Sequence, residues 1–141
     1  MTQQETPTEQ QPGYLDLADL QAPLDRTALF GRHAPLEVEV GAGRGDFLLA
    51  YAPTRPDHDF LGVERKLVYL RRAVNKLRRA RLTNVRLLNV EARNLLAHYF
   101  EPALVHAVHI YFPDPWPKAR HQKRRIVSPE TLASIVRVLE P

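Results

Sequence analysis

Asp114 stands between two prolines in the run I-Y-F-P-D-P-W-P-K-A-R-H-Q-K-R-R-I, which extends from Ile110 to Ile126. Proline fixes its own φ, restricts the residue before it and lacks an N–H, so the carboxylate sits on a stiff, non-helical corner. Leu104 to Phe112, just upstream, is apolar enough to form a buried strand, and open α/β sheets bind ligands at the C-terminal ends of their strands. Trp116 follows two residues on, placed either to stack on a base or to brace the turn. Lys118, Arg120, Lys123, Arg124 and Arg125 then put five cations within eight residues, with His121 and Gln122 among them. That density suits phosphate. A fixed carboxylate, an aromatic and a polycation in this order point to chemistry on a nucleic-acid base.

A second constellation lies upstream. Gly41, Gly43 and Gly45 fall between a predicted strand and a predicted helix, where a backbone approaches a ligand closely. The third glycine of a dinucleotide fingerprint would fall at position 46, which is Asp46. Glu39, two residues before the turn, is placed to meet a ligand ammonium group. Glu64, ending the second strand, is placed to take both ribose hydroxyls, and Glu91, ending the third, to meet an adenine amino group. With Asp114, four carboxylates cap four successive strands. Such a pocket favours a cationic sulfonium cofactor, S-adenosylmethionine, over a pyrophosphate, which it would repel. His106 and His109 lack metal-like partners and are expected to be packed or hydrogen-bonded strand residues; no metal site is expected.

The elements that must position these groups alternate. Strands are predicted at Leu36–Val40, His58–Val63, Val85–Val90 and Leu104–Phe112. Helical segments are predicted at Asp46–Tyr51, Lys66–Arg81, Arg93–Tyr99 and from Ser128 onward, where serine caps and Pro129 enters the first turn. Leu67, Leu70, Val74 and Leu77 form the inner face of the second of these helices, and Leu132, Ile135, Val136 and Leu139 that of the last. Strand alternating with helix gives a Rossmann-like α/β fold: a parallel sheet of four strands with helices on both faces. Residues 1–13 are expected to be a disordered tail, residues 14–35 a partly helical lead-in, and 36–141 the S-adenosylmethionine-binding domain.

Composition sets the outer limits. The chain has 141 residues, 44% of them apolar, and no cysteine, which excludes disulfides, thiolate metal sites and cysteine nucleophiles. No segment approaches the ~20 apolar residues that span a bilayer, and the N-terminus has no signal-peptide pattern, so a soluble, cytoplasmic protein is expected without membrane partners. The net charge of +4 hides an asymmetry: eleven acids and four bases up to Glu64, sixteen bases and five acids from Arg65 onward. Arg65 to Arg86 alone holds nine cations and no acid. Arg71, Arg72, Lys76, Arg78 and Arg79 are expected to face outward, without the mixed signs that a merely solvated helix uses.

The Phe112–Arg125 run resembles, nearly residue for residue, the F-P-D-P-W-x-K-x-R-H-x-K-R-R signature of the bacterial tRNA (guanine-N7)-methyltransferases. V-E-V-G-A-G-R-G is similar to that family's E-I-G-x-G-x-G segment, and F-L-G-V-E to its F-x-G-I-E segment. The resemblance implies a class I methyltransferase fold and methyl transfer from S-adenosylmethionine to N7 of a variable-loop guanine in tRNA. It carries over Glu39, Gly41, Gly43 and Glu64 as cofactor contacts, and Asp114 as the active-site acid, touching guanine, cofactor or both. Lys118 carries over as a substrate contact, and Arg120, His121, Gln122, Lys123, Arg124 and Arg125 as the RNA-contacting run. Glu91 stands where the family usually has aspartate. The family's further strands and a downstream Thr-Asp segment are absent, so the chain is expected to be C-terminally truncated. Two other readings stay open: a small-molecule methyltransferase of the same fold, and a non-catalytic RNA-binding module.

Overall fold

The structure, a computed structural model, describes residues 13–111 and 117–141. Parallel strands β2 (Leu36–Val40), β3 (Asp59–Val63), β4 (Val85–Leu88) and β5 (Ala107–Ile110) correspond to the four predicted ones. Helices α2 (Asp46–Tyr51), α3 (Leu67–Arg79), α4 (Ala92–His98) and α5 (Pro129–Val138) follow in the expected order. The lead-in differs from expectation. It contributes a fifth strand, β1 (Tyr14–Leu15), parallel to β4, then a 3-10 turn (Leu17–Asp19) and the short helix α1 (Arg26–Phe30). Its leucines are spaced for a helix, but Leu24 and Leu29 are instead drawn singly into the core.

The sheet order is β1-β4-β3-β2-β5, so β2 is hydrogen-bonded on both edges, to β3 and to β5. One face carries Leu36, Val38, Val40, Leu61, Val63 and Leu88, packed with Leu95 and Leu96 of α4 and Ile135 and Val138 of α5. The other carries Phe60, Val85 and Leu87 against Leu48 of α2 and Leu70, Ala73, Val74 and Leu77 of α3. Burial on both faces is what a parallel sheet requires. Arg32 ties the lead-in to the sheet by a forked pair with the buried Asp59, Nη2 to Oδ1 being 2.6 Å.

Two predicted helix faces need correction. On α5 the buried residues are Thr131, Ile135 and Val138, while Leu132 and Val136 are 48% and 73% exposed. Thr131 turns inward because its N–H and hydroxyl both bond the Ser128 cap, which rotates the apolar stripe away from Leu132. On α3, Leu67 is exposed, and Ala73 joins Leu70, Val74 and Leu77 on the inner face.

Gly62 marks the tightest part of the packing. A Cβ there would lie 2.6 Å from Leu48 Cδ1, 2.6 Å from Leu87 Cδ2 and 3.1 Å from Ala42 Cβ. Both leucines are fully buried, so neither can swing out into solvent. Gly62→Ala is expected to lower unfolding stability by about 2 kcal/mol in urea titration, the scale of core overpacking.

Candidate functional site

Strand β2 ends in a turn that lays bare its backbone. Gly41 and Gly43 have φ of +74° and +57°, a left-handed conformation that L side chains rarely adopt, and a Cβ on either would meet nothing within 4 Å. The space beside the turn belongs to a cleft of about 260 Å³ at the C-terminal ends of the strands. Gly41, Gly43, Glu64, Glu91, Tyr69 and Tyr111 are among its lining residues. The N–H groups of Gly41 and Ala42 both bond the Val63 carbonyl, at 2.8 and 2.9 Å, which locks the turn to the end of β3.

Glu64 stands just past β3, half-buried. Its Oε2 accepts from the Lys66 N–H at 3.0 Å, and its carbonyl accepts from Asn89 at 2.9 Å. Glu91 is placed differently from expectation. Strand β4 ends at Leu88, and Glu91 is the N-cap of α4, accepting from the N–H groups of Arg93 and Asn94 and from Arg93 Nε at 2.7 Å. Burial pushes the Glu91 carboxyl up, but the Arg93 guanidinium and the helix N–H groups outweigh it and hold the group below its ordinary value. Arg65, Lys66, Arg93 and Arg124 also line the cleft, so its wall mixes signs where sequence suggested mainly carboxylates. Lys66 and Arg44 are drawn over the Tyr69 ring, 5.4 and 5.8 Å from its centroid.

Glu39 is the exceptional group. It lies in the middle of the sheet, 5% exposed, and is not among the cleft-lining residues, although its neighbours Val40 and Gly41 are. Its Oε2 has no hydrogen-bond partner among the described residues. Burial first, then Asp46 and Glu64 nearby, push its carboxyl up to about 8. An orphaned, buried carboxylate next to a ligand-sized cleft fits a cationic group arriving there. The Glu39 end of the cleft therefore suits an ammonium or sulfonium group better than an anion.

Asp114 and Trp116 lie outside the described residues. Downstream, a 3-10 turn (Ala119–Arg124) holds the basic run, with the His121 N–H on the Lys118 carbonyl. The run divides rather than forming one face. Arg124 lines the cleft, Gln122 and Arg125 line a neighbouring cavity of about 680 Å³ against α4 and α5, and Lys118 and Arg120 are exposed. On α3, Arg71, Arg72, Arg78 and Arg79 are exposed as expected, and Lys76 pairs with Asp46 at 2.8 Å. His109 is hydrogen-bonded within the sheet, and His106, just before β5, bonds Glu140, as strand histidines were expected to. Among the described residues no group of three or more His, Cys, Asp or Glu could hold a metal ion, and no helix is long and apolar enough to cross a membrane.

Pattern reading missed Glu37, Tyr69, Tyr111 and Arg93. Glu37 and Glu39 alternate with Leu36, Val38 and Val40, which is the period of a half-exposed strand, so burial of the acids was not visible.

A family model described as "Putative methyltransferase" matches residues 33–141. The chain belongs to this methyltransferase family. It is 39% identical to the tRNA (guanine-N(7)-)-methyltransferase of Syntrophotalea carbinolica, over 92% of this chain and 56% of the relative. To the enzyme of the same name from Cutibacterium acnes it is 44% identical, over 84% of this chain and 43% of the relative. The chain thus spans about half the length of the curated relatives it matches. An antibiotic-related methyltransferase shares the fold at a TM-score of 0.60 and 15% identity, over 81% of this chain and 57% of the other. Phosphoethanolamine N-methyltransferase 2 of Haemonchus contortus, solved with S-adenosylhomocysteine, gives 0.59 at 20% identity, over 79% and 24%. The fold is the Rossmann-like one of class I methyltransferases, and the resemblance carried by the sequence motifs is borne out.

Glu39 generates a test on the protein alone. Its folded value lies above the ordinary 4.5, so the folded state holds a proton that the unfolded state gives up between pH 4.5 and about 8. Wild-type stability should therefore fall across that window. Glu39→Gln should match wild type near pH 4.5 and exceed it by roughly 4 kcal/mol at pH 8, as read by denaturant unfolding.

Proposed function

We propose that the cleft binds S-adenosylmethionine and that this chain takes part in methylating N7 of a variable-loop guanine in tRNA. The observation that carries the reading is Glu39, a buried carboxyl group beside the glycine turn with an oxygen that no described residue bonds. A cation at that turn would supply the missing partner. Glu64 follows the neighbouring strand and lines the cleft wall, which supports giving it the ribose hydroxyls. Glu91 already serves as a helix cap, so its part is to hold the adenine end of the cleft in shape, with any ligand contact secondary. The names of the relatives supply the acceptor, and the cations of α3 and of the basic turn supply a surface for RNA phosphate. A tRNA substrate in turn implies a cytoplasmic location.

Bound S-adenosylmethionine supplies a methyl group on a positively charged sulfur. Guanine N7 has a free lone pair, which forms the new N–C bond while the C–S bonding pair returns to sulfur; no proton is lost from the nucleophile. The chain's work is accordingly in-line placement and electrostatic support of a purine that gains positive charge. Asp114, fixed in sequence between two prolines, acts by charge rather than as a base. Arg124 reaches the cleft from the basic turn and so joins the RNA surface to the reacting centre.

Labelled S-adenosylmethionine incubated with tRNA and, separately, with small amine acceptors tests the reading. Label should enter tRNA alone and appear as 7-methylguanine. Asp114→Asn should slow transfer by ~10²-fold, the usual scale for one electrostatic contact. Label in the small acceptors, or a wild-type rate in Asp114→Asn, would contradict the assignment.

A further inference from the structure

The α2 side of the sheet carries a hydrogen-bond chain that methyl transfer as described does not use. Glu37 is 2% exposed and both its oxygens are taken. Oε1 lies 2.7 Å from His58 Nδ1, and Oε2 lies 2.6 Å from His109 Nε2. The other ring nitrogen of His109, Nδ1, lies 3.0 Å from the Tyr111 hydroxyl. An ionised carboxylate only accepts, so both imidazoles must turn an N–H toward it. Neutral His109 then carries its proton on Nε2, and its Nδ1 accepts from the Tyr111 O–H. The rings are packed as well as bonded. Phe47, on the first turn of α2, lies 4.8 Å from the Tyr111 ring and 5.0 Å from that of His109.

Tyr111 is nevertheless 47% exposed and lines the cleft, one residue beyond β5 and three before Asp114 in sequence. An exposed tyrosine needs no anchor to be soluble, and burying a carboxylate with two imidazoles is costly unless every bond is made. What the chain of bonds provides is a ring whose orientation is fixed at the mouth of the site.

We propose that Tyr111 is the stacking wall for the purine that accepts the methyl group, and that the Glu37–His109 pair is the positioning device that holds its ring. The inference rests on the methyl-transfer reading above. Aromatic side chains bind bases through their π faces without needing a particular hydrogen-bond edge. An electron-rich ring also attracts a purine more strongly as that purine becomes cationic, so the contact strengthens toward the transition state. Tyr111 touches the substrate; Glu37 and His109 act only through it.

A tRNA with 2-aminopurine in place of the acceptor guanine reads stacking through its fluorescence. In the wild-type complex with S-adenosylhomocysteine the probe should be quenched roughly threefold relative to the Tyr111→Ala complex. Tyr111→Phe keeps a stacking ring but removes the hydroxyl that His109 holds, so it should lose the same part of the quenching as the tether variants and less than Tyr111→Ala. Glu37→Gln leaves one amide oxygen for two imidazoles and should lose part of it; His109→Phe, which keeps the ring packing but cuts the tether, gives the same readout should Glu37→Gln not fold. Calorimetry should find S-adenosylhomocysteine affinity in Tyr111→Ala within about twofold of wild type. Equal fluorescence in wild type and Tyr111→Ala overturns the proposal. So does a loss of S-adenosylhomocysteine affinity of roughly tenfold in that variant, which would make Tyr111 part of the cofactor site. If wild type itself binds no S-adenosylhomocysteine, the methyl-transfer reading fails, while the probe still reports whether Tyr111 stacks on the base.

Discussion

The constraint on which the site depends is a carboxyl group held in the middle of a parallel sheet, with one oxygen that no described residue bonds. Glu39 is buried because β2 is hydrogen-bonded on both edges and covered on both faces. No described residue bonds its Oε2, and Asp46 and Glu64 make its ionisation harder still. Such a group is retained in a stable domain when a ligand supplies what the protein withholds. The two acids of β2 make the contrast plain. Glu37 is as deeply buried, but two imidazoles satisfy it, so it can serve as a structural anchor. Glu39, two residues on and next to the glycine turn, has an Oε2 with no partner among the described residues, and burial pushes its carboxyl up.

The parts of the fold that sequence made legible are those where one local rule acts alone. The glycine turn after β2, the serine cap and proline of α5 and the inner stripe at Leu70, Val74 and Leu77 of α3 all depend on short-range chemistry or simple periodicity. Where tertiary packing chooses between neighbours, pattern reading misleads. Leu132 and Val136 look like core residues of α5, yet the cap bond to Thr131 rotates them outward. Tyr14 and Leu15 lack the length to announce a strand and pair with β4 only because its edge is available.

The candidate site was legible in its ends and not in its middle. Glu64, Gly41 and Gly43 line the cleft, whereas Gly45 lies against Ala73 of α3. Glu91 is engaged as a helix cap, because β4 stops at Leu88 and leaves it at the start of α4. The chain from His58 through Glu37 and His109 to Tyr111 joins residues up to 72 positions apart, which no spacing rule could link. Of the cations read from sequence as a single run, Arg124 lines the cleft, Arg125 lines the neighbouring cavity, and Lys118 and Arg120 are exposed.

The central claim, that Glu39 awaits a cationic ligand, has a direct signature in protons. With its carboxyl at about 8, Glu39 is mostly protonated at pH 6.5 in the free protein. A positive group arriving beside it must lower that value and expel the proton. Calorimetric titration with S-adenosylmethionine at pH 6.5, in two buffers of different ionisation enthalpy, counts protons released on binding. The account predicts release of roughly half a proton or more in wild type and none from this group in Glu39→Gln. Binding with no buffer-dependent heat, or the same release in Glu39→Gln, would contradict it.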